Sequence, residues 1–340
     1  MTNNVNVAGL SKTGFLFSVA AAFFGSLFLA NDTFVMHRII LCNDKFTAVS
    51  AYLVLGAWVG TFYTLLCGLA LGKWFDKKYP GFSFGSKKMQ LFAIISGTIS
   101  AGSTIFCLVG NQNLDSSLVT SLSNVAILYV ATYDALCKRV AMKDVLIPIA
   151  MVLVGAFLAS TTKLSGGLEV SLIGIVVLVF GRCATDATDQ VVKQRGVWRS
   201  DAVTFAFWRM FWLAVSGTVI VITIAHIRGT YGQLSNLLNE VVASPIAWFF
   251  VFLTMFFVFF FQVFLHRAMQ TSAVSMIAII ISAQIVFGIP LLILIDYFQP
   301  GVLGQTPNNA TAWICRISGA AIIVTGIFCL NRNNAKRSRN

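Results

Sequence analysis

Along this chain, apolar stretches recur between short polar connections, and very few charged residues fall inside them. That spacing is what a bilayer demands, since a helix rising about 1.5 Å per residue needs roughly 20 apolar residues to cross the hydrocarbon core. Windows of about 19 residues predict ten such segments, at 14–36, 47–71, 89–110, 116–137, 145–162, 168–192, 203–226, 244–265, 271–295 and 312–330. Ten spans would use roughly 200 of the 340 residues, leaving no room for a separate soluble catalytic domain. Composition agrees. The chain is 57% hydrophobic and 11% charged, with a mean hydropathy of +0.83, against about a quarter charged in soluble domains. A soluble globular protein is excluded.

The net charge of +12 then reads as a topology signal and not as a nucleic-acid surface. With the amino terminus inside, the basic residues of the inner loops are Lys12, Lys73, Lys77, Lys78, Lys87, Lys88, Lys138, Arg139, Lys143, Lys193, Arg195, Arg199, Arg267, Arg332, Lys336, Arg337 and Arg339. The outer ones are Arg38, Lys45, Lys163, Arg228 and Arg316, while Arg182 and Arg209 fall within spans. This bias predicts both termini in the cytoplasm and an even number of spans, in a plasma or inner membrane. Lys12 before an apolar run looks like the start of a signal peptide, but the parity of spans expects the segment to be kept. The basic tail, 331–340, reads as an orientation signal.

The two halves repeat. Phe24-Gly25 recurs as Phe180-Gly181, and Ala48-Val49-Ser50 recurs as Ala202-Val203-Thr204. Likewise, Leu114-Asp115-Ser116-Ser117-Leu118-Val119-Thr120 resembles Met269-Gln270-Thr271-Ser272-Ala273-Val274-Ser275. The offsets are 156, 154 and 155 residues. Five segments per half is an odd number, so the second half enters the membrane from the opposite side. The expected fold class is an all-α polytopic membrane protein of ten transmembrane helices in two inverted five-helix repeats, 14–165 and 166–330. With Phe23-Phe24-Gly25-Ser26, the corner Asn113-Leu114-Asp115, Gly155, and Gly319-Ala320-Ala321 with Gly326, the chain resembles the drug/metabolite transporter superfamily, its EamA-type members in particular. It departs from them at Cys137-Lys138-Arg139, where members often carry a glutamate. The resemblance implies secondary transport by alternating access.

Charges inside spans cost on the order of 2.5–3.5 kcal/mol each, so every one needs a partner or a wet cavity. Arg182, Asp186 and Asp189 share one helical face at i, i+4 and i+7, with Arg182 able to pair with Asp186. Asp189 lacks an obvious local partner, and Arg209, at similar depth on the next segment, is expected to face it. Asn31 and Asp32 stand toward the outer end of the first segment. Buried pairs that fix helix packing are one reading of these charges. The other is that Asp32, Asp186 and Asp189 face a polar cavity and bind a substrate amine or exchange a proton. Asn124, Asp134, Gln262 and Gln284 either line the same cavity or bond between helices. His266 and Arg267 are expected to snorkel at a helix end, and Pro290 is a candidate kink. Nine phenylalanines between Phe249 and Phe264 surround the eighth segment, mostly toward lipid or neighbouring helices.

No metal or cofactor site is expected. His37, His226 and His266 have no ligand spacing, and the seven cysteines contain no C-x-x-C pair. Gly81-Phe82-Ser83-Phe84-Gly85 mimics a hydrolase elbow without its strand and helix. The chain is thus expected to be a transporter and not an enzyme, carrying a small-molecule substrate across a lipid bilayer by proton coupling or exchange. Asp32, Asp134, Asp186 and Asp189 against Arg182 and Arg209 form an acidic set, favouring a cationic or zwitterionic metabolite such as an amino acid. An anionic metabolite or nucleotide-sugar antiporter is the alternative. A membrane enzyme acting on lipid and a channel are rivals from other classes.

Overall fold

The computed structural model describes residues 10–113, 123–160, 176–298 and 310–337. All regular structure within them is helical. In chain order the α-helices are α1 (Lys12–Phe34), α2 (Lys45–Phe75), α3 (Lys87–Asn113), α4 (Ala126–Leu136), α5 (Met142–Ser160), α6 (Cys183–Val197), α7 (Ala202–Ile227), α8 (Tyr231–Ala243), α9 (Pro245–Thr271), α10 (Val274–Ile281), α11 (Gln284–Phe298) and α12 (Ala310–Arg337). Two π-helical turns interrupt this pattern: Val35–Ile39 continues α1 and Val177–Arg182 leads into α6. Such turns are rare and gather at functional sites. Here they adjoin the two helices that carry Asp32 and Asp186.

Among the described residues, six stretches are long and apolar enough to cross a membrane: Lys12–Asp32, Phe46–Phe75, Lys87–Phe106, Ala202–Ile227, Pro245–Thr271 and Trp313–Asn333. The chain is built as a helical membrane protein. Helix starts follow their caps. Ser11 accepts from the amide of Gly14, Asp201 from those of Val203 and Thr204, and Ser244 from that of Ala247, directly before Pro245.

Two details differ from the sequence expectation. The ninth segment breaks at Ser282 and Ala283 between α10 and α11, and not at Pro290, which lies inside α11. Ser282 bonds its hydroxyl back to the carbonyl of Ile279, an alternative to continuing the ladder. The helix α8 was not expected. It is short and amphipathic, and buries Leu234, Leu237 and Val241, spaced i, i+3 and i+7, in the cluster formed with α2, α7 and α9.

The packing order positions everything that follows. Helix α1 lies along α9, and α6 lies along α3. Helix α2 packs on α7 and α9, while α7 packs on α2 and α3. Helix α4 meets α10 and α6, α1 meets α10 and α11, and α5 pairs with α12. Two of these contacts need glycine. A Cβ on Gly97 of α3 would stand 2.7 Å from the Leu213 amide nitrogen of α7, and one on Gly155 of α5 would stand 2.6 Å from the Gly319 carbonyl of α12. Backbone cannot yield there, so only a missing side chain lets these helices touch. The corner Asn113-Leu114-Asp115 and the repeat segment 114–120 lie largely outside the described residues.

Candidate functional site

Helices α3, α6 and α7 bring a buried charge cluster together. Asp189 accepts from Ser96 and, at 2.6 Å, from Ser100, both on α3. Two cations share its carboxylate, Lys193 Nζ at 2.6 Å and Arg209 Nη2 at 3.2 Å. Arg209 is oriented in turn by the same serines, donating from Nε to Ser96 Oγ at 3.0 Å and from Nη2 to Ser100. One helical turn away, Asp186 accepts from Ser103 and from Arg182 Nε at 3.3 Å. Arg209 therefore does face Asp189, and Arg182 does pair with Asp186.

The partner that sequence reasoning missed is Lys193. It is counted above with loop charges, but α6 continues to Val197 and carries Lys193 inward at i+4 from Asp189, where it is buried. Its spacing was a legible signal. So was the serine stripe: Ser96, Ser100 and Ser103 repeat the i, i+4, i+7 pattern of the facing charges. The acidic balance changes as a result. Asp134 is also paired, with Arg139 at 3.4 Å, so Lys193 and Arg139 bring the set to neutrality. Locally the Arg182–Asp186–Asp189–Lys193–Arg209 cluster holds three cations against two carboxylates.

Accessibility divides the cluster. The side chains of Arg182 and Asp186 are 23% and 30% exposed, those of Asp189 and Arg209 both 4%. The Arg182–Asp186 pair is thus the more accessible part of the cluster. Behind it, Arg209 Nη1, Gln262 Oε1 and His266 Nε2 are buried without a hydrogen-bond partner among the described residues.

A second network joins α1, α2 and α9. Asn31 donates to the Phe250 carbonyl at 2.9 Å and to Thr254 Oγ1 at 2.6 Å. Tyr52 donates to Asp32 and lies 3.1 Å from Thr254 Oγ1. Among the described residues, Asp32 forms no ion pair.

Three residue pairs of the two networks stand at similar spacings in the sequence. Asp32 and Asp189 are 157 residues apart, as are Tyr52 and Arg209, while Ser100 and Thr254 are 154 apart. Helices α1 and α2 both pack on α9, and α6 and α7 both pack on α3.

The other candidates serve helix joints. Asp134 is fully buried and accepts from the amide of Ser275 at 2.8 Å and its hydroxyl at 2.7 Å, capping α10. Gln284 fills the space left by Gly25. Asn124 sits in the turn before α4, its carbonyl accepting from Ile127. His266 and Arg267 do not snorkel. His266 is fully buried against the Phe205 ring, its Nδ1 3.3 Å from the carbonyl of Ala202. Arg267 donates at 3.0 Å to Asp76, a buried carboxylate overlooked in the sequence. Asp76 also accepts from the Ala202 amide, capping α7 as Asp134 caps α10. Burial pushes the neighbouring Asp201 carboxyl above its ordinary value, against the hydrogen bonds from Thr204. Many of the α9 phenylalanines pack on α1, with Phe260 stacked on Phe24 at 4.9 Å and the Phe261 ring tilted against Phe28 at 5.2 Å. No group of histidine, cysteine and carboxylate side chains suited to a metal ion occurs among the described residues.

No family model matches this chain, and no curated protein matches it. A solved structure described only as "Crystal structure of protein" resembles it with a TM-score of 0.60 and 14% identity, over 93% of this chain and 97% of the other. At that identity the likeness concerns the fold alone.

Proposed function

We propose that this chain is a secondary active transporter of the drug/metabolite type, with ten transmembrane helices in two inverted five-helix halves and both termini in the cytoplasm. It carries a small polar metabolite by alternating access, driven by a proton gradient or by exchange. The packing supports the two-fold layout. Exchanging the first five segments for the last five maps α1–α9 onto α6–α3 and α2–α9 onto α7–α3, and leaves the α2–α7, α4–α10 and α5–α12 pairs in place.

The observation that carries the reading is the pair of corresponding carboxylate networks buried between apolar helices. In the Asp189 network the enclosed Asp189–Arg209 part holds helices together, and the more exposed Arg182–Asp186 pair is the part open to a substrate. The distribution of charge favours a zwitterion: the Asp189 network has one cation in excess and the Asp32 network one carboxylate. An amino acid or a derivative offers the complement of both. A second reading follows from Arg209 Nη1, which is buried without a partner. That group favours a carboxylate or phosphate, and so an anion exchanger.

Counterflow in proteoliposomes loaded with amino acids, cationic cofactors, nucleosides or sugar nucleotides tests both. Trans-stimulated uptake of an amino acid or amine is expected, and uptake of sugar nucleotides alone would favour the second reading. Asp186→Asn should abolish driven uptake. Uptake at the unaltered level, or no counterflow with any compound, would overturn the transporter.

A further inference from the structure

In the Asp189 network, two protein cations neutralise the carboxylate: Lys193 Nζ and Arg209 Nη2. At the corresponding places in the first half, 157 residues earlier, stand Met36 and Tyr52. The first network has the carboxylate and, for Ser100, Thr254, while Phe250 stands for Ser96 and neither cation is present. Asp32 accepts from Tyr52, and Tyr52 is tied to Thr254 Oγ1, which also receives Asn31. The site is therefore held in shape by neutral donors alone. Asp32 is half-buried as a residue, and the side chain of Asp189 is 4% exposed.

We infer that Asp32 is the receptor for an aliphatic primary ammonium group of a ligand, which takes the place that Lys193 and Arg209 occupy in the other half. The chemistry selects this class. A primary ammonium has three donors, and the Asp32 carboxylate offers the acceptor that Lys193 Nζ finds in the Asp189 carboxylate. An aliphatic chain suits the surroundings, because Phe250, one turn before Thr254, holds its ring 4.7 Å from that of Phe34. A hydrated inorganic ion gains nothing from such rings. The inference deepens the cationic part of the proposed substrate and rests on the internal correspondence of the halves.

Butylammonium, the lysine side chain as a free molecule, is the probe. Its binding to the purified full-length protein in nanodiscs is measured by titration calorimetry with and without excess sodium chloride. Saturable binding is expected, unaffected by sodium beyond ionic-strength screening. Asp32→Asn should raise the Kd at least tenfold. Tyr52→Arg, which installs the residue of the other half, should do the same by filling the site from within, and it keeps the inference testable if Asp32→Asn fails to fold. No saturable binding to the unaltered protein, undiminished binding to either folded variant, or full displacement by equimolar sodium would overturn the inference. Binding with no counterflow would instead count against the transporter alone.

Discussion

Asp189 and Asp32 are both held by hydroxyl groups from other helices, yet one is enclosed by cations and the other is not. Asp189 is met by Lys193, Arg209, Ser96 and Ser100, and its side chain is 4% exposed. Asp32 is met by Tyr52 and stays partly accessible. A buried carboxylate with its cations in place is a joint: it holds α3, α6 and α7 together, and removing a partner leaves an uncompensated charge. A carboxylate without a cation is free to take one.

The largest expected effect tests the joint. Asp189→Asn leaves Lys193 and Arg209 facing each other in a dry site and should cost about 3–5 kcal/mol, read as a drop in apparent stability by steric trapping in micelles. A loss as small as that of Asp32→Asn would erase the contrast between the halves.

Next comes the close approach that places Arg209 beside the serines. Gly97→Ala puts a Cβ against the α7 backbone and should cost about 1–3 kcal/mol through separation of α3 and α7, with loss of counterflow. Gly25→Ala meets only the movable amide of Gln284, so it should be milder. Equal effects would mean that backbone contact does not govern the first site.

Asp32→Asn should change stability by less than about 1 kcal/mol, because it exchanges one hydrogen-bonded group for another. The same unfolding measurement decides this.

The smallest effect lies outside the spans, at Asp44. Partial burial pushes its carboxyl up, but the hydrogen bond from Thr47 and the charge of Arg228 outweigh it and hold the carboxyl below its ordinary value of 3.8. Its contribution is therefore present above that value and lost as pH falls through the lower folded value. Arg228→Gln should remove a slight part of the acid sensitivity below about pH 4. An unchanged acid transition would show the surface pair to be inert, as exposed pairs often are.

Much of this was legible in the chain. The apolar windows, the pairing of Arg182 with Asp186 and the facing of Arg209 to Asp189 follow from hydropathy, helical spacing and depth. Lys193 escaped because a lysine near a window's end looks like a loop charge. Asp76 escaped for the same reason, and only the arrival of Arg267 and the α7 amide shows why it is buried. His266 was misplaced because a polar residue near a helix end is exposed by default, whereas α7 covers this one.

The sequence by itself determined that the chain is helical, that it belongs in a membrane and which polar residues must be satisfied there, since hydrocarbon tolerates no unpaired backbone and few charges. Whether a given carboxylate is satisfied was decided only by the tertiary structure. Local spacing reaches one turn along a helix, but Ser96, Ser100, Tyr52 and Thr254 arrive from other helices. Their meeting depends on glycine contacts and crossing geometry that a one-dimensional pattern does not encode.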